Sequence, residues 1–375
     1  GQLSKEDYAP LQEKLFKFKG FYIQKRPIRK YPLKTAANVV GYLNEVDERA
    51  IAKDDYYQQG ELFGYTGVEK KYELLLRGTK GVKRIQKNRF KKEIGSYKNG
   101  LYDTLSAPGN DLTLSLDIIL QQYGEKLMTN KRGGIVALEP TTGEILALVT
   151  APSYDPNIMV GRKRRKNSVL LLGDSINKPM FDRGLKAQYA PGSPFKIITG
   201  LIGLQEGVID ENTIFTCNHG YRYSRSRKMG CHAHASQVKL NFGIYTSCNS
   251  YFANTYRRII EKFDTAHEGM ETWSKHAKSF GLGNFLGYDL PVGNRGLIPN
   301  ANFYDQWYTA KNWTATTTLS NAIGQGEVIT TPIQLANMTA TVANRGYYYT
   351  PHIVKKIKGA SLDPKFTTKH VTTID

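Results

Sequence analysis

A serine three residues before a lysine, at the predicted start of a helix, is the pair of side chains in this sequence best suited to chemistry. Pro191 and Gly192 interrupt the preceding segment, and Pro194 suits a first helical position, where its missing N–H costs nothing. The apolar run 197–204 predicts the helix, and Gly207 is its expected stop. The serine and the lysine should therefore share one face of the first turn.

Ser193 and Lys196 have the spacing of a nucleophile and its base. A serine hydroxyl is a weak nucleophile and needs a neighbouring base. A lysine amine can be that base when burial lowers its pKa toward neutrality. The N–H groups and the positive dipole end of the helix would also suit a developing oxyanion. The pair alone would equally fit an ordinary helix cap, so the decision rests on its context.

A second polar group of residues, Ser247-Cys248-Asn249, follows further along the chain. A serine and an asparagine two positions apart on a loop can both point into one cleft. The hydroxyl could relay a proton there, and the amide could hold a substrate carbonyl or the lysine. Serine and asparagine are common in loops, so the tripeptide has meaning only together with Ser193 and Lys196.

The cysteines of the chain lie close together in the sequence, at Cys217, Cys231 and Cys248. Their odd number argues against a disulfide framework. Cys231 and His234 have the Cys-x-x-His spacing that lets two ligands reach one metal ion. We expect a structural zinc site formed by the three cysteines and His234, which His232 or His219 could replace. One disulfide with a free thiol, or three buried thiols, are the alternatives.

The net charge of +19 over 375 residues is concentrated in two basic runs. Residues 80–92 contain seven basic residues and no acidic one, and the second run is 162–166. Such runs suit an anionic membrane surface or an acidic polymer, or are simply solvated. No zinc finger, RNA-binding signature or recognition helix accompanies them, which argues against nucleic acid as a partner. No apolar stretch approaches the roughly 18 residues of a membrane span.

The first part of the chain, residues 1–113, forms one predicted unit of short elements. We expect a helix over 11–18, a strand over 21–23, and a helix that Thr66 caps and Gly78 ends. A loop rich in proline, glycine and asparagine then marks the boundary of this unit.

The second part, residues 114–375, contains the residues with chemical potential. A strand and a helix are predicted over 114–130, and a β-hairpin over 134–138 and 144–150. The serine–lysine helix follows, and the chain beyond Ser247 is predicted to be mainly helical.

Together these segments resemble the class B penicillin-binding protein transpeptidases. The motif pair Ser-x-x-Lys and Ser-x-Asn is shared with that family. Further segments typical of its catalytic and pedestal domains are 134–150, 151–157, 321–326, 331–336, 343–346, 67–73 and 76–78. Segments 29–32 and 40–42 are similar to the elongation-type subgroup, penicillin-binding protein 2.

The resemblance implies an α/β (α+β) fold. It implies a penicillin-binding/β-lactamase-like transpeptidase domain, an antiparallel sheet flanked by helices, over residues 114–375. An α+β pedestal domain of the dimerisation type would occupy residues 1–113.

The resemblance also implies roles for the four polar residues. Ser193 would be acylated by a D-Ala-D-Ala stem peptide, with Lys196 as its base. Ser247 would pass a proton to the leaving amine, and Asn249 would position the substrate and the lysine. A second stem amine would then complete a peptidoglycan cross-link, and β-lactams would stall as esters of Ser193.

The family's setting implies partners and a location. The implied partner is a membrane glycosyltransferase of the shape, elongation, division and sporulation type, contacted through the pedestal. The implied location is the inner (cytoplasmic) membrane, with an anchor there and the catalytic domain in the periplasm. Catalysis would need no cofactor, and some relatives have a structural zinc beside the active site.

The sequence departs from the family pattern in its third motif, Lys-Thr-Gly, which it does not contain. Asp375 stands about where that motif's strand should begin, and the anchor and the pedestal's early Arg-Gly…Asp-Arg segment are also missing. We therefore expect a pedestal truncated at its N-terminus, a transpeptidase domain without its C-terminal strands, and poor or no catalysis by the chain as written. The alternative is a catalytically degenerate scaffold or activator of a cell-wall glycosyltransferase. The pedestal disfavours a β-lactam sensor or a β-lactamase, since those proteins lack one.

Overall fold

The computed structural model describes residues 3, 5–18, 20, 28–90, 92–308 and 312–375. The strand predicted over 21–23 lies outside these residues. Among the described residues, we find no helix whose length and hydropathy would let it span a bilayer.

The N-terminal part is built from short elements. Its helices are α1 (Lys5–Gln12), α2 (Ala37–Val40), α3 (Glu48–Lys53), α4 (Gly67–Lys71) and α5 (Glu73–Leu76), with 3-10 turns at Leu15–Lys17 and Tyr97–Gly100. Its strands are β1 (Leu43–Glu45), β2 (Leu62–Gly64), β3 (Ile85–Lys87) and β4 (Glu93–Ser96), which form the antiparallel pairs β1–β2 and β3–β4.

Two predicted helices of this part differ from the observed ones. The helix expected over 11–18 begins earlier, at Lys5, and ends at Gln12. The helix expected after Thr66 is divided into α4 and α5, because Tyr72 has φ −110° and ψ 20° and interrupts the helical path. The Thr66 side chain makes no capping hydrogen bond there.

The C-terminal part is larger and mixes sheet with helix. Its strands are β5 (Leu112–Leu114), β6 (Gly133–Leu138), β7 (Ile145–Ala151), β8 (Phe215–Thr216), β9 (Gly220–Arg222), β10 (Lys228–Gly230), β11 (Gln237–Val238), β12 (Tyr347–Tyr349), β13 (Val354–Ile357) and β14 (Lys369–Val371). Its helices are α6 (Ile118–Leu127), α7 (Arg164–Gly173), α8 (Arg183–Lys186), α9 (Lys196–Gln205), α10 (Leu240–Tyr245), α11 (Asn249–Glu261), α12 (Ala266–Ser279), α13 (Ala301–Asp305) and α14 (Pro332–Ala343). Further 3-10 turns lie at Pro156–Met159, Ser193–Phe195, Leu319–Ile323 and Pro364–Phe366.

The predicted hairpin over 134–138 and 144–150 is confirmed. Strands β6 and β7 pair antiparallel from Gly133 opposite Ala151 to Leu138 opposite Ile145. Strand β13 pairs with β5, and the chain just before β13 also meets the start of β7, where the Ile145 N–H donates to the His352 carbonyl at 2.8 Å. The sheet region therefore joins segments that are more than 200 residues apart in the sequence.

Helices α9 and α11 pack tightly against each other beneath the predicted site. A side chain at Gly203 would place its Cβ 2.5 Å from Thr255 Cγ2, so the two helices approach more closely than a larger residue permits. Phe195 and Phe252 are fully buried in the same core, and the Phe195 ring lies 6.1 Å from that of Trp273. Burying a large apolar side chain contributes roughly 1.5–3 kcal/mol. This packing holds the two helix N-termini side by side.

One buried carboxylate connects the N-terminal part to the sheet. Asp289 is 0% exposed and accepts hydrogen bonds from the Ile353 and Val354 N–H groups at 2.6 and 3.0 Å. The Tyr72 hydroxyl of the N-terminal part donates to the same carboxylate at 2.7 Å. Tyr72, the residue at the break between α4 and α5, thus contacts the C-terminal part of the molecule.

Candidate active site

The predicted helix start before Lys196 is confirmed, and it is entered through a tight turn. Gly192 has φ 66° and ψ −149°, a conformation that L-residues rarely adopt, and its N–H donates to the Gly324 carbonyl at 2.8 Å. Residues Ser193–Phe195 form one 3-10 turn with Pro194 in its first positions, and α9 begins at Lys196. Ser193 and Lys196 therefore lie on the same face of the first turn.

Gly324 supports this turn at very close range, and its substitution should be costly. It has φ +64°, and a Cβ there would lie 2.5 Å from the Gly192 oxygen and 2.6 Å from Phe195 Cβ. We expect Gly324→Ala to lower the free energy of unfolding in urea by about 2–4 kcal/mol, from backbone strain and overpacking together. Gly161→Ala is the matched control, because Gly161 has φ +71° but nothing within 4 Å of its Cβ position. Equal losses in the two variants would contradict the expected effect of crowding.

The Lys196 amine lies at the centre of a hydrogen-bonded cluster. Its Nζ is 3.2 Å from Ser193 Oγ, 2.8 Å from Ser247 Oγ, 2.7 Å from the Ser247 carbonyl oxygen and 2.6 Å from Asn249 Oδ1. Ser247 Oγ also donates to Ser193 Oγ at 3.0 Å. The structure thus brings together all four residues that the sequence singled out.

The surroundings of Lys196 favour a neutral amine. The residue is 3% exposed, and burial lowers the pKa of its amine below the ordinary lysine value, while the nearby Cys231 and Cys248 sulfurs act in the opposite direction. A neutral amine has two hydrogens and one lone pair. The Ser247 carbonyl and Asn249 Oδ1 can only accept hydrogen bonds. They can take both hydrogens, which leaves the lone pair to accept from the Ser193 hydroxyl, since the Ser247 hydroxyl donates to Ser193 Oγ.

Ser247 reaches the lysine because of its backbone conformation. It has φ 53°, in the left-handed region that non-glycine residues seldom occupy, within the turn between α10 and α11. Such a conformation costs about 1–3 kcal/mol, so the surrounding contacts must stabilise it. Cys248 then caps α11, since its Sγ accepts a hydrogen bond from the Tyr251 N–H at 3.3 Å. The loop predicted for Asn249 is wrong, because Asn249 is the first residue of α11.

Asn249 is oriented by a residue that sequence reasoning missed. Its Nδ2 donates to the Gly230 carbonyl at 2.8 Å, which leaves Oδ1 to accept from Lys196. Its backbone N–H points to Cys231 Sγ at 3.1 Å. The only sequence signal for Gly230 was its place beside a predicted metal ligand. The end of β10 is therefore part of the site.

The predicted metal ligands also lie together in the structure. One sulfur or nitrogen atom from each of four side chains lies within 4.8 Å of all the others, and these side chains are Cys217, Cys231, His234 and Cys248. All three cysteines are free thiols, with Cys217 and Cys248 buried. His234, rather than His219 or His232, is the histidine of this cluster. Since Cys217 follows β8, Cys231 follows β10 and Cys248 caps α11, the cluster joins three segments around the site.

The hydrogen bonds of this cluster suit a soft divalent cation. His234 Nδ1 lies 2.8 Å from the Ala235 carbonyl, which can only accept, so Nε2 has the free lone pair and faces Cys231 Sγ at 3.4 Å. Burial tends to raise the pKa of the Cys231 thiol, but its contact with the His234 imidazole and the hydrogen bonds from the Ser250 and Asn249 N–H groups outweigh burial and lower that pKa. Three sulfurs and one imidazole nitrogen are a usual ligand set for structural zinc.

Comparison with known families identifies the two parts of the chain. The penicillin binding protein transpeptidase domain matches residues 133–374, and the penicillin-binding protein dimerisation domain matches residues 1–114. The chain belongs to the penicillin-binding protein transpeptidase family. The class of protein indicated by the sequence motifs is thereby confirmed.

Curated relatives of the family match almost the whole chain. The peptidoglycan D,D-transpeptidase MrdA of Acinetobacter baumannii is 33% identical over 369 residues, which are 96% of this chain and 52% of the relative. The protein of the same name from Escherichia coli K12 is 28% identical over 357 residues, 90% of this chain and 53% of the relative. The chain thus spans about half the length of the curated relatives it matches.

Solved structures of penicillin-binding protein 2 show the same fold. The Helicobacter pylori protein in complex with MreC has a TM-score of 0.82 at 28% identity, covering 98% of this chain and 67% of that one. The Pseudomonas aeruginosa protein in complex with WCK 5153 has a TM-score of 0.72 at 30% identity, covering 94% and 72%. A structure that describes polymerisation and crosslinking by a peptidoglycan synthase complex has a TM-score of 0.78 at 27% identity, covering 99% and 64%. They confirm the predicted fold, a mixed α/β transpeptidase domain with an N-terminal dimerisation domain.

Proposed function

We propose that this chain contains the acyl-transfer centre of a peptidoglycan D,D-transpeptidase of cell elongation. The observation that carries the proposal is the cluster of Ser193, Ser247 and Asn249 around the buried amine of Lys196. Relatives named peptidoglycan D,D-transpeptidase support the reaction. The pedestal comprises residues 1–113 in this proposal, and the transpeptidase domain comprises residues 114–375.

Acylation begins with a proton transfer within the cluster. Ser193 Oγ attacks the carbonyl carbon of the penultimate D-Ala of the donor stem, while its proton moves to the lone pair of Lys196 Nζ. The Ser193 N–H at the helix start donates to the developing oxyanion. Asn249 Oδ1 and the Ser247 carbonyl hold the amine in place throughout.

The Ser247 hydroxyl completes the proton transfer to the leaving group. It contacts both Lys196 Nζ and Ser193 Oγ, so it can pass a proton from the lysine to the leaving D-Ala nitrogen as the C–N bond breaks. An amine of a second stem then attacks the Ser193 ester, its proton returns through the same groups, and a new amide releases the serine. A β-lactam forms the same ester by ring opening, but its amine stays attached, and the enzyme stalls.

The intact mass of the full-length protein, with and without a penicillin, tests this function. We expect one adduct that has the mass of the whole penicillin, because ring opening loses no atoms. Ser193→Ala should abolish the adduct, and Ser226→Ala, at an exposed serine, should retain it. The function would be refuted by an unlabelled wild-type protein or by full labelling of Ser193→Ala.

We also infer that a zinc ion binds to Cys217, Cys231, His234 and Cys248 and has a structural role. With four protein ligands the coordination shell is closed, so the ion would supply no open position for catalysis. Its effect would be to tie the end of β10 to the start of α11, where Gly230 and Asn249 meet. Catalysis itself needs no cofactor in this mechanism.

The cell-wall setting follows as part of the same proposal. We place the protein at the cytoplasmic membrane, with its catalytic domain on the outer side and stem peptides as substrates. A membrane glycosyltransferase is the proposed partner, contacted through residues 1–113. The similar structures with MreC and in a peptidoglycan synthase complex support an assembly of this kind. The intact serine–lysine cluster argues against a purely scaffolding role.

A further inference from the structure

The β9–β10 hairpin adjoins the candidate active site and has only positive charge. Residues 212–260, which include this hairpin and both the Ser247 turn and most of α11, contain no aspartate or glutamate. The basic residues of the hairpin are all exposed and are Arg222, Arg225, Arg227 and Lys228. A substrate that approaches Ser193 along this side therefore meets a positive surface.

The base of the hairpin is attached to the reacting groups. Gly230, the last residue of β10, accepts the hydrogen bond from Asn249 Nδ2 at 2.8 Å. The next residue, Cys231, accepts from the Asn249 N–H. Since Asn249 also holds Lys196, the position of the hairpin is defined relative to the nucleophile.

The two faces of the hairpin differ. Tyr221, Tyr223 and Met229 are partly buried and pack against the core. Arg222 and Lys228 lie opposite each other in the strand register and are exposed. Side chains alternate between the faces of a strand, so this pair lies on the face away from the core. The structure shows no ion pair of either side chain with the residues it describes, and Arg222 Nη1 donates to the Arg225 carbonyl at 3.0 Å, which leaves Nε and Nη2 of Arg222 for a ligand.

We propose that Arg222 and Lys228 form a carboxylate-binding subsite for the donor stem peptide, upstream of the bond that Ser193 attacks. This inference rests on the proposed transpeptidase function. Each of the two residues is two positions from the base of the hairpin, about 7 Å along the strand. A carboxylate two or three residues upstream in an extended peptide lies about 7–11 Å from the scissile bond, which places it outside the cluster of reacting groups, as the pair is placed beyond Asn249. Arginine can bind it with two parallel hydrogen bonds, and lysine adds a second charge.

The subsite is tested by comparing two D-Ala-D-Ala peptides as substrates of the full-length protein. The upstream carboxylates are free in one peptide and amidated in the other, and the peptides are otherwise identical. We expect the wild-type protein to show a higher kcat/KM for the free acid. The double variant Arg222→Gln/Lys228→Gln should reduce this preference about three- to tenfold, mainly through KM. Added salt should weaken the wild-type preference as well, since the pair is exposed.

The matched control makes the same change of charge in the β3–β4 hairpin, which is also basic. Lys87→Gln/Arg89→Gln alters two exposed residues at the end of β3 and should leave the wild-type preference intact. The subsite would be refuted by a wild-type protein that prefers neither peptide, by a preference that survives in the Arg222/Lys228 variant, or by equal losses in the control. Penicillin labelling of Ser193 is measured alongside, because its failure would refute the transpeptidase function itself.

Discussion

Replacing Lys196 by glutamine is expected to slow the acylation of Ser193 by a penicillin about 10²–10⁴-fold. Glutamine can still donate hydrogen bonds to the Ser247 carbonyl and Asn249 Oδ1, but it cannot take up the serine proton. The measurement is the second-order rate constant of labelling with a fluorescent penicillin. Lys275→Gln, at an exposed lysine of α12, is the control and should label at the wild-type rate. A Lys196→Gln rate within threefold of wild type would exclude the lysine as the base.

The pH dependence of the same labelling rate should identify the protonation state in which the Lys196 amine acts. Only the neutral amine accepts a proton, so the rate rises as the pH increases through the pKa of Lys196. Because burial lowers that pKa, the rise should occur below the ordinary lysine range. Asn249→Asp would put a carboxylate where Oδ1 lies 2.6 Å from Nζ, which favours the ammonium ion and should move the rise to higher pH. Asn254→Asp adds the same charge further along α11 and should not move it, and a common pH profile for both variants would contradict this assignment.

Loss of the proposed zinc ion is the second large effect that we expect. Cys248→Ser should reduce bound zinc from one ion per chain and lower the free energy of unfolding by several kcal/mol. Serine caps helices well, so the loss would report on metal binding rather than on the cap of α11. Labelling of Ser193 should also slow, because the cluster holds Cys231 and Gly230 against Asn249.

Elemental analysis, denaturation in urea and penicillin labelling measure these three consequences. His232→Ala is the matched control, because His232 is exposed and lies outside the cluster, and it should retain its zinc. A metal-free protein with a Cys217–Cys231 disulfide in its peptide map would contradict the zinc site.

Much of the local geometry could be predicted because it depends on residues close in the sequence. Pro194 and the three-residue spacing place Ser193 and Lys196 on one helical turn whatever surrounds them. The Cys-x-x-His spacing likewise leads Cys231 and His234 to one point. The β6–β7 hairpin follows from two β-rich runs that flank a short turn.

The contacts between distant segments could not be predicted in this way. Gly230 became part of the site only because β10 ends against α11, and a glycine after a run of basic residues has no distinctive pattern. The basic hairpin 220–230 has no distinctive pattern either, since tyrosine and serine separate its charges. The sequence predicts Tyr72 inside a helix, yet its contact with buried Asp289 accompanies a break in that helix.

The sequence by itself determined the family, the predicted serine nucleophile with its lysine base, and three cysteines with a choice of histidines as predicted metal ligands, since each depends on residue type and short spacing. Only the tertiary structure decided that the Ser247 turn meets Ser193, because this depends on the close packing of α9 on α11 at Gly203. It also decided that His234 completes the thiol cluster, and that one basic hairpin borders the active site. Each of these three contacts joins elements that are distant in the sequence. Such contacts form only when the apolar faces of the elements pack into one core that excludes water.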